Sequence, residues 1–304
     1  MGGPFVSEPT LAQWMAARLA AFEVAATAQL PAADRAPQRL HQAMRYAVLD
    51  GGKRVRPLLV DAAGEVVGAP EPALRAAALA VEYVHAYSLI HDDLPCMDND
   101  VLRRGKPTVH IAFNEATAML AGDALQAEAF QAIAEAPIEA GTRAALMAEL
   151  AAAAGTRGMC GGQAIDLAAV GSSMSRAELE QMHGMKTGAL LRAAVRMGAL
   201  AGAADPAVLA PLDRYAHAVG LAFQVVDDVL DVEATSQDLG KTAGKDAQQG
   251  KPTYVSMLGL SAARQWAERL RQDAHGALDT LPAAAAARAV RLRQLADFIV
   301  LRKS

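Results

Sequence analysis

The stretch from His91 to Thr108, HDDLPCMDNDVLRRGKPT, constrains the fold more than any other. Asp92, Asp93, Asp98 and Asp100 fall within nine positions, and Arg103, Arg104 and Lys106 follow at once. Upstream, Ala76 to Ile90 is largely apolar and reads as a buried helix. Carboxylates delivered to the end of a core helix are costly unless a cation meets them there. Asp92 and Asp98 are six residues apart, about 600° of rotation on an α-helix, so a regular helix would put them on different faces. Pro95 lies between them, and proline stops or kinks a helix. The expectation is a helix end with a loop folded back over it, which lets the acids converge.

A second acid cluster lies 135 residues further on, Asp92 to Asp227 (227 − 92). In Phe223-Gln-Val-Val-Asp-Asp-Val-Leu-Asp231, Asp227 and Asp231 are four apart and share a helix face, with Gln224 one turn before Asp227 on that side. Like charges at that spacing repel, and a bound divalent cation removes the objection. The apolar run LAFQVV just before argues against an exposed acidic helix. Cationic segments flank both clusters. Gly51-Gly52-Lys53-Arg54-Val55-Arg56-Pro57 combines a backbone that can approach an anion with bidentate Arg forks. Lys186-Thr187, between Gly184 and Gly188, can donate to an anion from a helix break. His85 lies two turns before the first cluster, where a ligand role and a satisfied core histidine explain it equally well. Oxygen donors without clustered Cys or His suit a hard cation, Mg²⁺ or Mn²⁺. No Gly-rich loop ending in Lys-Ser/Thr is present, which argues against nucleotide hydrolysis.

Two acid clusters and two basic ones describe a site for phosphorylated substrates over an apolar pocket. The rest of the chain describes its scaffold. Apolar residues make up 53% but aromatics only 4%, and much of the difference is alanine, the strongest helix former. β-Branched residues do not alternate as they would in strands. An all-α fold with one domain over residues 1–304 is expected, since no Pro/Gly/Ser linker divides the chain. Helices are expected from a Ser7 cap to about Leu30, over Gln38–Leu49 and Val60–Val67, and from Glu71 into the first cluster. Thr108–Ala121 and Asp123–Ala136 read as two more, then Pro137–Gly155. A long helical region over Arg176–Ala203 is broken around Gly184 and Gly188, and the helix capped by Asp205-Pro206 carries the second cluster. Gly158, Gly161 and Gly162 sit in a helical context. Each costs about 1 kcal/mol there relative to Ala, which close approach of two backbones, or of backbone to a ligand, would offset. Glu233 to Gly250 reads as a long loop able to act as a lid, with Lys241, Lys245 and Lys251 as candidate anion contacts.

Lys+Arg 29 against Asp+Glu 33 leaves a net charge of −4, no basis for broad nucleic-acid binding or adhesion to an acidic membrane. Cys96 and Cys160 make neither a disulfide framework nor a zinc pattern and suit a reducing cytoplasm. Val6 breaks the myristoylation pattern, the first residues lack a secretory signal, and no segment reaches the roughly 20 uncharged residues of a membrane span.

DDLPCMD with RRGKPT resembles the first aspartate-rich motif of the trans-type isoprenyl diphosphate synthases, and Asp227-Asp228-Val229-Leu230-Asp231 resembles their second, DDxxD. GGKRVRP, GMCGGQAIDL, Lys186-Thr187 and GKPTY match the family's other signatures in the family's order, over essentially the whole chain. The four-residue spacer in the first motif is most similar to the bacterial farnesyl diphosphate synthase type. The resemblance implies a helical bundle and Mg²⁺-dependent condensation of isopentenyl diphosphate with dimethylallyl and geranyl diphosphates. It implies three Mg²⁺, replaceable by Mn²⁺, on Asp92, Asp93, Asp98, Asp227, Asp228 and Asp231. Arg103, Lys186, Thr187, Gln224 and Lys241 would contact the allylic diphosphate or its metals, and Lys53, Arg56, His85 and Arg104 would bind isopentenyl diphosphate. Arg54, in the same run, is left out of that set. Asp92, Asp93, Arg103, Lys186 and Asp227 would carry the catalysis, and Arg302 would help to close the site. Tyr87 and Ser88, five and four residues before Asp92, imply a floor that stops the product at fifteen carbons, with geranyl or geranylgeranyl diphosphate as the alternative product. A homodimer is implied as well. A class I terpene cyclase, the rival with the same helical fold, normally carries a different second metal motif and lacks the isopentenyl-binding cations. A non-catalytic partner subunit tends to lose the acidic motifs that this chain keeps.

Overall fold

The computed structural model describes residues 9–49, 51–171, 174–233 and 252–302. Lys241, Lys245, Lys251 and most of the expected lid lie outside them. Helices α1 (Leu11–Gln29), α2 (Gln38–Val48), α3 (Val55–Val67) and α4 (Glu71–Asp92) lead into a two-stranded hairpin, β1 (Leu102–Arg103) and β2 (Lys106–Pro107). Then follow α5 (Val109–Ala112), α6 (Glu115–Ala134), α7 (Ala140–Ala154), α8 (Met159–Ala169) and α9 (Arg176–His183). A π-helical turn, Gly184–Gly188, joins α9 to α10 (Ala189–Ala201), and α11 (Pro206–Glu233) follows. Past the 234–251 stretch come α12 (Tyr254–Leu258), α13 (Leu260–Asp279), α14 (Ala283–Ala286) and α15 (Val290–Leu301). The expected all-α class holds; the hairpin is the one sheet among the described residues.

α4 packs on α6 and α3, α10 on α3, α7, α11 and α4, and α11 on α13. Most of α4 is buried, including Leu79, Val81, Tyr83, Val84 and Ile90. Its small residues Ala73, Ala77 and Ala80 are fully enclosed, which brings neighbouring helix axes close and offsets the chain's shortage of large aromatics.

Several boundaries differ from expectation, each for a local reason. α1 is capped by Thr10 in a reciprocal box with Gln13, not by Ser7, which lies outside the described residues. α3 begins at Val55, so Arg56 and Pro57 stand in its first turn, where a proline ring costs no hydrogen bond. The helix pair expected over 108–136 divides at Phe113-Asn114 instead of at Gly122. Asn114 Oδ1 accepts from the Thr117 amide at 2.7 Å, and this cap starts a 20-residue helix that runs through Gly122. The break expected around Gly184 and Gly188 is a π turn within continuous helix.

Candidate active site

The first acidic motif folds as its proline demands. α4 ends at Asp92, Asp93 caps it, and the chain turns back so that the Asp98 amide donates to the Asp92 carbonyl at 2.8 Å and the Asp100 amide to the Asp93 carbonyl at 3.2 Å. Arg103 and Arg104 then diverge. Arg103 pairs with Lys106 across the hairpin, while Arg104 and Gly105 form its two-residue turn with φ of 53° and 74°, the left-handed geometry that tight hairpin turns require. Arg103 Nε donates to both oxygens of buried Asp93 at 2.9 and 3.0 Å, and its Nη2 donates to Oδ1 at 2.6 Å. Arg104 Nη1 instead donates to the Gly51 carbonyl at 3.1 Å, which docks the hairpin on the glycine loop before α3.

The second motif rides the end of α11. Asp227, half-exposed, accepts from Arg302 Nη2, and the Arg302 guanidinium lies over the Phe223 ring at 4.0 Å. Gln224 pairs with Asp228, not with Asp227 as the helix face suggested, because the i,i+4 spacing brings its Nε2 to Asp228 Oδ1 at 2.8 Å. Asp228 Oδ2 accepts from the Tyr254 amide at 2.7 Å. Thr187 Oγ1 donates to Gln224 Oε1 at 3.1 Å. Asp231 is buried on the same helix.

A cavity of about 650 Å³ lies between these ends. Its lining includes Lys53, Arg56, His85 and Arg104 together with Asp93, Arg103, Thr187 and Asp227. Asp92, Asp98, Lys186, Gln224, Tyr87, Ser88, Asp228 and Asp231 do not line it. Lys186 is drawn to Asp166 of α8 at 2.6 Å, a buried partner that the sequence reading missed. The signal was available: Asp166 belongs to GMCGGQAIDL, four residues after Gly162, and a Cβ on Gly162 would lie 2.2 Å from the Lys186 amide nitrogen. Arg54, left out of the site, is a structural cation on Glu82 at 2.9 Å, on Glu23 and on the Val48 carbonyl. Tyr87 packs its hydroxyl 3.8 Å from Cys160 Sγ and its ring edge-on to His91, between α4 and α8. Ser88 Oγ donates to the His85 carbonyl.

Burial, reinforced by Arg56, Arg104, Arg103 and Arg54, pushes the His85 imidazole well below its usual range. Burial brings Arg56 down to about 10 although Glu82 opposes it. Arg56 Nε has no hydrogen-bond partner among the described residues, nor have Arg302 Nε and Nη1. Buried guanidinium donors are costly to leave unpaired, and of the two only Arg56 lines the cavity, where an anion would offer it an acceptor. In the first acidic motif, burial lifts the Asp92 carboxyl to about 6, with Asp98 and Asp93 adding to the rise and Lys186 and Arg103 opposing it. Among the described residues no three Asp, Glu, His or Cys side chains converge closely enough to hold a metal alone. The oxygen-only donor set and the mutual repulsion around Asp92 fit Mg²⁺ that completes its shell with substrate phosphates.

Residues 37–284 match the family model described as polyprenyl synthetase. A farnesyl diphosphate synthase of Haemophilus influenzae is 50% identical over 268 residues, 87% of this chain and 89% of that protein. A chloroplastic geranylgeranyl pyrophosphate synthase of Catharanthus roseus is 47% identical over 243 residues, 79% of this chain and 68% of its own. The crystal structure of a Helicobacter pylori geranyltransferase complexed with magnesium and isoprenyl diphosphate is 34% identical, with a TM-score of 0.85 over 96% of this chain and 98% of that one. With that family match over most of its length, the chain, like the cavity between its two acidic helix ends, belongs to the polyprenyl synthetase family.

Proposed function

We propose that the chain joins isopentenyl diphosphate to dimethylallyl diphosphate, and then to the geranyl diphosphate so formed, releasing pyrophosphate at each step and stopping at farnesyl diphosphate. The observation that carries this reading is the lining of one cavity, which gathers Lys53, buried Arg56 with an unpaired Nε, His85, Arg103 and Arg104 with Thr187 and with Asp93 and Asp227 of the two acidic motifs. The cavity takes both diphosphates. Lys53, Arg56, His85 and Arg104 hold isopentenyl diphosphate, and Arg103, Lys186, Thr187 and Gln224 serve the allylic one; Lys241, assigned with them, lies outside the described residues. Bound Mg²⁺ supplies charge neutralisation to the departing pyrophosphate. Three ions, with Mn²⁺ able to substitute, would rest on Asp92, Asp93, Asp98, Asp227, Asp228 and Asp231.

The C1–O bond of the allylic substrate breaks, and its electron pair leaves with pyrophosphate. The terminal alkene carbon of isopentenyl diphosphate forms the new C–C bond to C1, and the resulting cation loses a proton from the adjacent carbon to the released pyrophosphate. The fixed cations stabilise the charge that develops on the leaving group, and the enclosed site keeps water from the carbocation. Tyr87, which packs against Cys160 of α8 outside the lining of this cavity, would limit product length from there, and the chain works as a homodimer in the cytoplasm. No helix among the described residues is long and apolar enough to cross a membrane.

Incubating the protein with Mg²⁺, isopentenyl diphosphate and dimethylallyl diphosphate and sizing the dephosphorylated alcohols tests this. Farnesol is the expected product. Geraniol or geranylgeraniol would keep the chemistry and remove Tyr87 as a fifteen-carbon floor; no condensation with any allylic primer would sink the reading. Asp92→Ala and Asp227→Ala are each expected to cut turnover by orders of magnitude with helix content unchanged by circular dichroism.

A further inference from the structure

Three carboxylates among the described residues line the cavity, and Glu82 is the one that belongs to neither acidic motif. It lies one turn before His85 on α4 and is 1% exposed. A buried negative charge in the same lining as Arg56, His85 and Arg104 works against holding a diphosphate there, so its place needs another reason. Glu82 Oε1 accepts Arg54 Nη1 at 2.9 Å, with both side chains almost wholly buried. The rest of the Arg54 fork is engaged as well. Nη2 donates to Glu23 Oε1 at 2.8 Å and to the Val48 carbonyl, and Nε donates to Glu23 Oε1 at 3.2 Å. The guanidinium lies over the Phe22 ring at 5.0 Å. One side chain thus ties α1, the end of α2 and α4 to the start of α3.

The backbone of Arg54 is as constrained as its side chain. It stands just before α3 with φ of 47° and ψ of 36°, the left-handed region that a residue with a Cβ avoids. Its carbonyl accepts the Leu58 amide at 3.1 Å and so starts the helix. Lys53 immediately precedes this turn and Arg56 follows it in the first turn of α3, and both line the cavity. We infer that Arg54, held by Glu82 and Glu23, is a positioning residue for isopentenyl diphosphate: it clamps the left-handed turn that sets Lys53 and Arg56. The inference rests on the prenyl-transfer reading and extends it to two residues outside the proposed subsite. It also explains why the position is arginine. A guanidinium fans its donors over a fixed plane and reaches acceptors on three helices at once, whereas an ammonium is a point charge.

Arg54→Lys tests the inference, because it keeps the charge and removes the fork. KM for isopentenyl diphosphate is expected to rise about 10- to 100-fold, the scale of a small misplacement of binding groups, while KM for geranyl diphosphate stays within about twofold of the parent protein. Glu82→Gln keeps the shape, and its carboxamide oxygen can still accept from Arg54 Nη1. Without the charge the hold on Arg54 weakens, so a smaller rise in the same KM is expected, and no further rise when it is added to Arg54→Lys. Arg54→Gly made together with Glu82→Gln suits the left-handed backbone, leaves no unpaired charge in the core, and removes the clamp. It should raise KM for isopentenyl diphosphate at least as far as Arg54→Lys. A parent-like KM in this double variant overturns the inference, since the turn alone would then set the two cations. A fall of that KM in Glu82→Gln overturns it too, because Glu82 would be only a repelling charge. So does an equal rise of both KM values, or a loss of Tm with neither KM moved, either of which would make the pair part of the general scaffold. Failure of the parent protein to condense any primer would instead overturn the prenyl-transfer reading, and this inference with it.

Discussion

The cost of burying charge explains most of the individual residues. Arg54 and Glu82, both almost fully enclosed, meet at 2.9 Å and offset each other's burial. Arg56, two positions on, lacks so complete a set of partners and marks the ligand side of the same helix start. Asp227 carries a cation already, Arg302, with which a divalent ion bound there would compete. Arg302→Ala is therefore expected to tighten Mg²⁺ or Mn²⁺ binding to the free protein several-fold by calorimetry; unchanged affinity would show that Arg302 does not compete. Away from the cavity, burial lifts the Asp61 carboxyl to about 7, with Arg18 opposing and Glu71 and Glu65 adding to the rise. The charged form is thus disfavoured in the fold. The resulting loss of stability is absent below the unfolded pKa, near 4, grows as pH rises, and is complete above about 7. Asp61→Asn should raise Tm relative to the parent protein more at pH 8 than at pH 5, as thermal melts at both pH values would show. An equal shift at both would place the Asp61 carboxyl in its ordinary range.

At the scale of elements, close backbone contact positions the site. The π turn puts Lys186 and Thr187 where an ordinary α-turn would rotate them away, and such turns recur at functional sites. α8 approaches this turn so closely that only glycine fits at position 162. Gly162→Ala is expected to destabilise by about 1–3 kcal/mol, because backbone on both sides cannot yield. It should also raise KM for the allylic diphosphate by moving Lys186. Denaturant melts and steady-state kinetics check the two effects separately. The turn shows where reading by pattern stops. Gly184 and Gly188 announce an irregularity, and glycine usually announces a break. Whether the chain breaks or adds one residue to a helical turn depends on what packs against it, here α8 and α11. Likewise, RRGK reads as a run of cations, and only the hairpin turn separates Arg103, on Asp93, from Arg104, on the Gly51 carbonyl.

At the scale of the whole molecule, the bundle brings the ends of α4 and α11 to one cavity, with Tyr87 near the end of α4 against α8. Exchanging Tyr87 for Ala is expected to shift the product from fifteen carbons toward twenty or more, read by chromatography of the dephosphorylated alcohols; an unchanged product would move the floor elsewhere. The all-α class, the two acidic helix ends and the basic loop before α3 were determined by sequence alone. Alanine content, apolar period, Pro95 and charge spacing act locally and survive in any fold. Which acid meets which cation was decided only by tertiary structure. Gln224 turns to Asp228 and away from Asp227, Lys186 finds Asp166, and Arg302 reaches Asp227 from the far end of the described chain. Those pairings depend on distances between elements tens of residues apart, and a burial cost that selects one partner over another exists only once the helices have packed.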